Sequence, residues 1–296
     1  MSSVGDFATC SKRIEDTPPP FREALLHRVD GHENIRHLIH SPAFATGRFR
    51  TLASLLCVTD KRWLIVLCER DGSTIVGEST YDSILLVELT IILLYGQLKI
   101  DFVFKGEARS TALQFNTVMK RDYFRAIEDV LTAIDGDEGA GESRDLRNSP
   151  ILRDWPLKFR NISILYAPKN SCLLGGVQWA EVYGAFHRQL APAAAILLTQ
   201  RYILIIAEEK PGWLQFRPRT NYGQIITYFP INRLAKFEIH RTARFSLLEL
   251  EGHCGDGGEK LAIMLSRDKE EAVSRLLKSV CASAEQVGDD RDDPRK

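Results

Sequence analysis

Apolar residues in this chain fall in short runs broken by polar turns. Residues 55–69 read LLCVTDKRWLIVLCE and residues 196–209 read ILLTQRYILIIAEE. In both, two apolar runs flank a Thr-polar-basic break. Runs this short, rich in Val, Ile, Leu and aromatics, predict strands, and the break predicts a hairpin turn. Further runs at 99–104 and 245–250 have the same character. Turn signals punctuate them: Asp71-Gly72, Tyr95-Gly96, Lys105-Gly106 and GDGG at 255–258. The period then changes. Tyr123, Phe124, Ile127, Val130, Leu131 and Ile134 recur at helical spacing, as do Ala272, Val273, Leu276, Leu277, Val280 and Cys281. Each set predicts an amphipathic helix, with Thr117 and Ser266 as N-caps.

The two halves align. At an offset of 140, residues 53–59 (ASLLCVT) lie over 193–199 (AAAILLT). A one-residue gap then places Arg62 over Arg201. At an offset of 150, Val87, Glu88 and Leu89 lie over Phe237, Glu238 and Ile239. The drift predicts an insertion around residues 210–223. Between the halves, DGDEGAGESRDLRNSP at 135–150 has Leu146 as its one large apolar residue and reads as a flexible acidic linker. The expected domains are 21–134 and 151–284. Many strands followed by one helix fit a curled antiparallel sheet whose open end the helix plugs.

VTDKRWLI at 58–65, LTQRYIL at 198–204, the following YDSILLVEL at 81–89 and the closing helix together resemble bacterial pleckstrin-homology-like (PH-like) and GRAM-like domains. The resemblance implies a mainly β (α+β) chain of two tandem PH-like barrels, each a curled antiparallel sheet closed by a C-terminal amphipathic helix. It also implies a binding module for lipid headgroups, peptides or protein partners. It carries over no ligand residues.

Composition narrows the function classes. Apolar residues make up 44% and charged residues 26%, the balance of a globular chain with cores to bury. Net charge is zero, although residues 151–281 carry 18 Lys/Arg against 12 Asp/Glu. That surplus falls short of a nucleic-acid footprint. The six cysteines form no C-x-x-C pair and the first twenty residues lack the apolar core of a secretory signal. A cytoplasmic protein with reduced thiols is expected, peripheral at a membrane in the alternative reading. The apolar stretch 84–95 is too short to cross a bilayer and contains Glu88.

Two surfaces stand out. Arg48 and Arg50 in the loop 41–51, with Lys61 and Arg62 beside it, make a candidate anion or lipid site, because guanidinium groups chelate phosphate. An ordinary solvated rim is the alternative. In the second half the matching loop looks nearly lost, and the inserted KPGWLQFRPRTNYG carries Trp213, Phe216, Arg217, Arg219 and Tyr222. This aromatic and basic mixture is the composition of interface hot spots. The alternative is that it folds back on its own domain. His32, His37 and His40 match no zinc spacing and read as exposed strand-edge residues. Glu88 and Glu238 read as one outward strand position, repeated. No G-x-S-x-G, P-loop, G-x-G-x-x-G or H-E-x-x-H motif occurs. The expectation is a non-enzymatic binding or scaffolding protein without cofactor or metal. It would recognise a protein or peptide; anionic membrane is the alternative and nucleic acid is not expected.

Overall fold

The computed structural model describes residues 8–46, 49–134, 136, 146–169, 171–184, 189–208 and 223–289. The chain divides into two compact units, residues 1–139 with 254–257, and residues 140–253 with 258–296. Half of the residues are strand and 27% helix, in antiparallel sheets, so the fold is mainly β as expected. No closed barrel occurs among the described residues.

In the first unit, β1 (Thr9–Ser11), α1 (Pro19–Leu26), β2 (Ile35–Ser41), β3 (Ala45–Thr46) and β4 (Phe49–Arg50) precede the hairpin of β5 (Ala53–Thr59) and β6 (Arg62–Cys68). Then come β7 (Thr74–Thr80), β8 (Ile84–Ile92), β9 (Tyr95–Phe104), β10 (Glu107–Asn116) and α2 (Lys120–Ile134). One sheet has the order β1-β2-β5-β6-β7, while β8, β9 and β10 pair consecutively.

The second unit repeats this order. It has α3 (Leu157–Tyr166), β11 (Leu173–Trp179), the pair β12 (Val182–Tyr183) and β13 (Gln189–Ala191), and the hairpin β14 (Ala194–Thr199) with β15 (Tyr202–Glu208). β16 (Gly223–Pro230), β17 (Leu234–Arg241), β18 (Ser246–Cys254), β19 (Gly257–Leu265) and α4 (Glu270–Asp289) complete it. Its sheets run β11-β14-β15-β16 and β17-β18-β19.

The central hairpin explains the unbroken apolar runs. Ser54 through Thr59 and Trp63 through Val66 are all 0% exposed, so both faces of the strands are covered. Leu55, Cys57, Leu64 and Val66 point to one face, where Phe21, Ala24 and Leu25 of α1 pack on them. Trp63 points to the other and meets Phe102 of β9 edge-on, with ring centroids 5.1 Å apart. In the second unit α3 packs on β14 and β15, with Phe159, Ile162 and Tyr166 buried. Neither covering helix was expected from the pattern. Each is short; α1 opens on Pro19 and Pro20, whose fixed φ suits the first helical turn, and α3 begins directly after Pro156.

Both hairpins turn on a threonine hydroxyl. Thr59 Oγ1 accepts from Lys61 N (3.1 Å) and Arg62 N (3.0 Å), and Thr199 Oγ1 accepts from Arg201 N (3.3 Å) and Tyr202 N (2.9 Å). The hydroxyl of Thr199 donates back to Tyr202 O at 3.0 Å. This side-chain turn satisfies the backbone where the ladder stops. Because Val58 pairs with Trp63 and Leu198 with Ile203, the two turns have equal length. The gap expected after Thr199 is therefore absent: Lys61 matches Arg201, and Arg62 matches Tyr202.

The pairing irregularities repeat as well. A register shift between Ile35 and His37 recurs between Leu173 and Gly175, and one between Ile84 and Leu86 recurs between Leu234 and Lys236. The connection between β6 and β7 spans residues 69–73 and that between β15 and β16 spans 209–222, which locates the insertion where the drift places it.

Three local expectations are corrected. The first loop of the second unit is not lost; it spans residues 180–193 and holds β12 and β13. The strand before it, β11, contains Gly175 and Gly176, which serve packing and not turning. A Cβ on Gly175 would lie 2.5 Å from Leu276 Cδ1. Tyr95 and Gly96 likewise belong to β9, and a Cβ on Gly96 would meet the Phe115 ring at 2.4 Å. The turn there is Leu93-Leu94. Finally, Asn116, not Thr117, caps the turn leading into α2, accepting from Val118 N at 3.0 Å, while the Thr117 hydroxyl donates to Leu93 O at 2.9 Å.

The closing helices are held differently. α2 buries Tyr123, Ala126, Ile127, Val130, Leu131 and Ile134, with Tyr123 stacked on Phe115 at 3.9 Å and its hydroxyl 2.9 Å from Ser41 Oγ. In α4, Val273, Leu277 and Val280 are buried, and its first residue, Glu270, accepts from Arg241 Nε (2.9 Å) and from Ser246 Oγ. The bond from Arg241, then that from Ser246, holds the Glu270 carboxyl below the ordinary carboxylate range.

Replacing Thr199 by Val removes these turn bonds and should cost about 1–2 kcal/mol in urea unfolding. Thr59→Val should cost more, because the Thr59 hydroxyl also lies 2.9 Å from the buried Glu33 carboxylate. The Glu270 contribution is present above the unfolded carboxyl value and fades as pH falls through the lowered folded value. The urea midpoints of wild type and Glu270→Gln should therefore differ at pH 7 and converge only as pH falls through that lowered folded value.

Candidate functional site

The inserted loop lies outside the described residues, and with it Trp213, Phe216, Arg217, Arg219 and Tyr222. Arg48 also lies outside them, and the backbone of Arg50 ends β4. Lys61 is exposed at the tip of the first hairpin.

Arg62 serves the fold. Its Nη2 lies 3.1 Å from Oε1 of Glu33, whose side chain is 0% exposed and whose Oε2 meets the Thr59 hydroxyl. Tyr81, buried against the same turn, directs its hydroxyl at Thr59 O (2.6 Å) and Arg62 O (2.9 Å), and burial pushes its phenol pKa up. Beside this knot, Arg62, Glu78, Thr80, Ser83, Phe104 and Lys105 line an open cleft of about 290 Å³. With its charge neutralised by Glu33, Arg62 is no free phosphate ligand. Of the four expected cations, Arg48 and the Arg50 side chain lie outside the described residues, Lys61 is exposed at the hairpin tip and Arg62 pairs with Glu33.

The histidines near the N-terminus do not converge on one site. His32 is exposed, His37 pairs with Asp129 of α2 at 2.7 Å, and His40 is buried with its ring 5.2 Å from Phe21. β1 pairs with β2 on the side away from β5, so β2 is not an edge strand, contrary to the strand-edge reading. Burial lowers the His40 pKa. It also pushes the Cys57 thiol up to about 12, with Glu33 adding to the shift, so this cysteine acts as a small core hydrophobe.

Two features escaped the sequence reading. The first is an exposed apolar turn. Leu93 and Leu94 are 68% and 65% exposed between β8 and β9, and Val118 beside them is 81% exposed. Thr117 ties the group together, its N–H donating to Leu94 O (3.0 Å) and its hydroxyl to Leu93 O. Leu93 has φ +50°, the left-handed region. That backbone costs a non-glycine residue about 1 kcal/mol. At the register-matched positions the second unit has Ala243, Arg244 and Asp268. In the sequence these leucines merge with the apolar run of β8, which hides the turn.

The second feature is polar. Glu238 and Glu249 stand directly opposite each other on β17 and β18, with His240 two residues along the strand. One ligand atom from each lies within 4.8 Å of the others. At the matched positions the first unit has Glu88 opposite Lys99. The strand position of Glu88 and Glu238 is indeed repeated, but the environment is not. Burial raises the Glu88 pKa, whereas a bond from Lys236 lowers that of Glu238. A period-two spacing of Glu and His with a carboxylate across the hairpin would have signalled this group, but only once the pairing register was known.

Arg62→Ala would strand the buried Glu33 carboxylate, and chemical denaturation should register a loss of about 3 kcal/mol. Lys61→Ala at the exposed tip should change stability by less than about 0.5 kcal/mol. Equal effects of the two substitutions would refute the structural role given to Arg62.

Among the described residues no helix is long and apolar enough to cross a membrane. Comparison of the chain with protein-family models and with curated proteins gives no match.

Proposed function

We propose that this chain is a non-enzymatic binding or scaffolding protein built from two PH-like barrels, domains 21–134 and 151–284 joined by the linker 135–150, and that it recognises a protein or peptide partner in the cytoplasm. The repeated element order, the matching register shifts and the helix closing each unit support the PH-like reading. The observation that carries partner recognition is the Leu93–Leu94–Val118 surface. Three aliphatic side chains are exposed together, and Leu93 among them holds an unfavourable left-handed backbone. Apolar surface of this kind marks an interaction site. The second unit, with Ala243, Arg244 and Asp268 there, lacks it, so the two units differ in the surface they offer. The inserted loop with Trp213 and Phe216 is a second partner-facing segment on the strength of its composition.

The test is quantitative cross-linking and co-purification with the full chain. Leu93→Ser/Leu94→Ser should lose partners that wild type retains, at an unchanged melting temperature. An identical partner set in both this variant and Trp213→Ser/Phe216→Ser would sink the reading. Salt-sensitive sedimentation with phosphatidylserine vesicles, lost in Lys61→Glu, would replace it with anionic-membrane attachment. Leu93→Asn, which tolerates the left-handed backbone better, should raise stability by about 0.5–1 kcal/mol while weakening partner retention.

A further inference from the structure

We propose that Glu238, His240 and Glu249 form a binding site for a divalent transition-metal ion of the zinc class on the outer face of the β17–β18 sheet. This rests on side-chain geometry within the second unit and does not depend on the PH-like reading.

The first argument is distance. His240 Nε2 lies 3.3 Å from Glu238 Oε2 and 3.4 Å from Glu249 Oε2. Those separations are long for a charge-assisted hydrogen bond, which closes to about 2.7–2.9 Å. The neighbouring pair on the same sheet, His253 Nε2 and Glu251 Oε1, sits at 2.8 Å. By contrast, two ligands each about 2.1 Å from a tetrahedral zinc stand about 3.4 Å apart. The His240 contacts have the spacing of a coordination edge.

The second argument is register. Like charges directly opposite on neighbouring strands destabilise a sheet. The first unit avoids this with Glu88 across from Lys99; the second places Glu249 where the lysine would be and His240 where Thr90 would be. A metal ion between the two carboxylates offsets that repulsion, and imidazole with carboxylate oxygen is a donor set zinc accepts.

The third argument is what surrounds the ligands. Lys236 Nζ lies 2.5 Å from Glu238 Oε1, the oxygen turned away from His240, so it orients the carboxylate and leaves Oε2 for the ion. Glu251, His253 and Lys260 also face this surface, with Lys260 Nζ 3.7 Å from Glu251 Oε2. The three glutamates and two lysines of this surface together leave one negative charge. The ligand side chains are 43%, 52% and 30% exposed in chain order, so a bound ion would keep at least one position open to water or to a partner's side chain.

The experiment is calorimetric titration of the full chain with Zn²⁺, followed by Co²⁺ absorption. One ion should bind per chain, about tenfold or more weaker in His240→Ala and in Glu249→Gln, with His253→Ala unchanged. Glu249→Lys rebuilds the opposite-charge pairing of the first unit. It should keep or raise the melting temperature while abolishing binding, which separates loss of the site from loss of the fold. The Co²⁺ complex should show ligand-field bands of a nitrogen–oxygen set. No saturable binding, equal binding in His240→Ala and wild type, or thiolate-to-cobalt charge transfer from the cysteines would overturn the proposal.

Discussion

Each unit depends on a hairpin buried on both faces. Ser54–Val58 with Trp63–Val66, and their counterparts in β14 and β15, have no solvent side. A two-stranded hairpin cannot meet that demand alone. One face requires a covering helix, α1 or α3, and the other requires side chains such as Phe102. At the tip, where the ladder ends and no further strand residue is available, Thr59 or Thr199 bonds the turn from within.

The first hairpin carries an additional burden. Its turn encloses Glu33, an acidic group with no access to water, and Arg62 with Thr59 answers its charge. In the second unit Tyr202, buried, stands in place of Arg62. The same backbone solution is thus filled with a buried ion pair in one copy and an aromatic side chain in the other. This is why the Lys-Arg pair of the first copy reads as a binding motif in the sequence while half of it is structural.

The copies diverge where the fold makes no demand. The β8–β9 turn is apolar and exposed in one unit and polar in the other. The β8–β9 pair is Glu–Lys, and the equivalent β17–β18 pair is Glu–Glu with a histidine. The helix starts are capped by Asn116 in one and anchored through Glu270 to Arg241 in the other. Both proposed binding surfaces, the leucine turn and the Glu–His–Glu face, arise from this divergence.

Several features were legible in the sequence, each for a physical reason. Strand against helix follows from the period of burial, so the hairpins, α2 and α4 could be read directly. The repeat survived in the apolar positions because the core constrains them. Glycine misled the reading at Gly96, which resembles a turn residue; its missing Cβ makes room for Phe115, as those of Gly175 and Gly176 do for Leu276 and Trp155. Whether a glycine turns the chain or admits a neighbour depends on contacts distant in sequence. The same holds for Arg62, whose partner Glu33 is 29 residues away, and for Glu238 and Glu249, which meet only through β17–β18 pairing. The sequence by itself determined the elements and their repetition, because these depend on local periodicity. The tertiary structure decided which charges are spent on the fold and which remain at the surface, because burial and pairing are properties of neighbours in space.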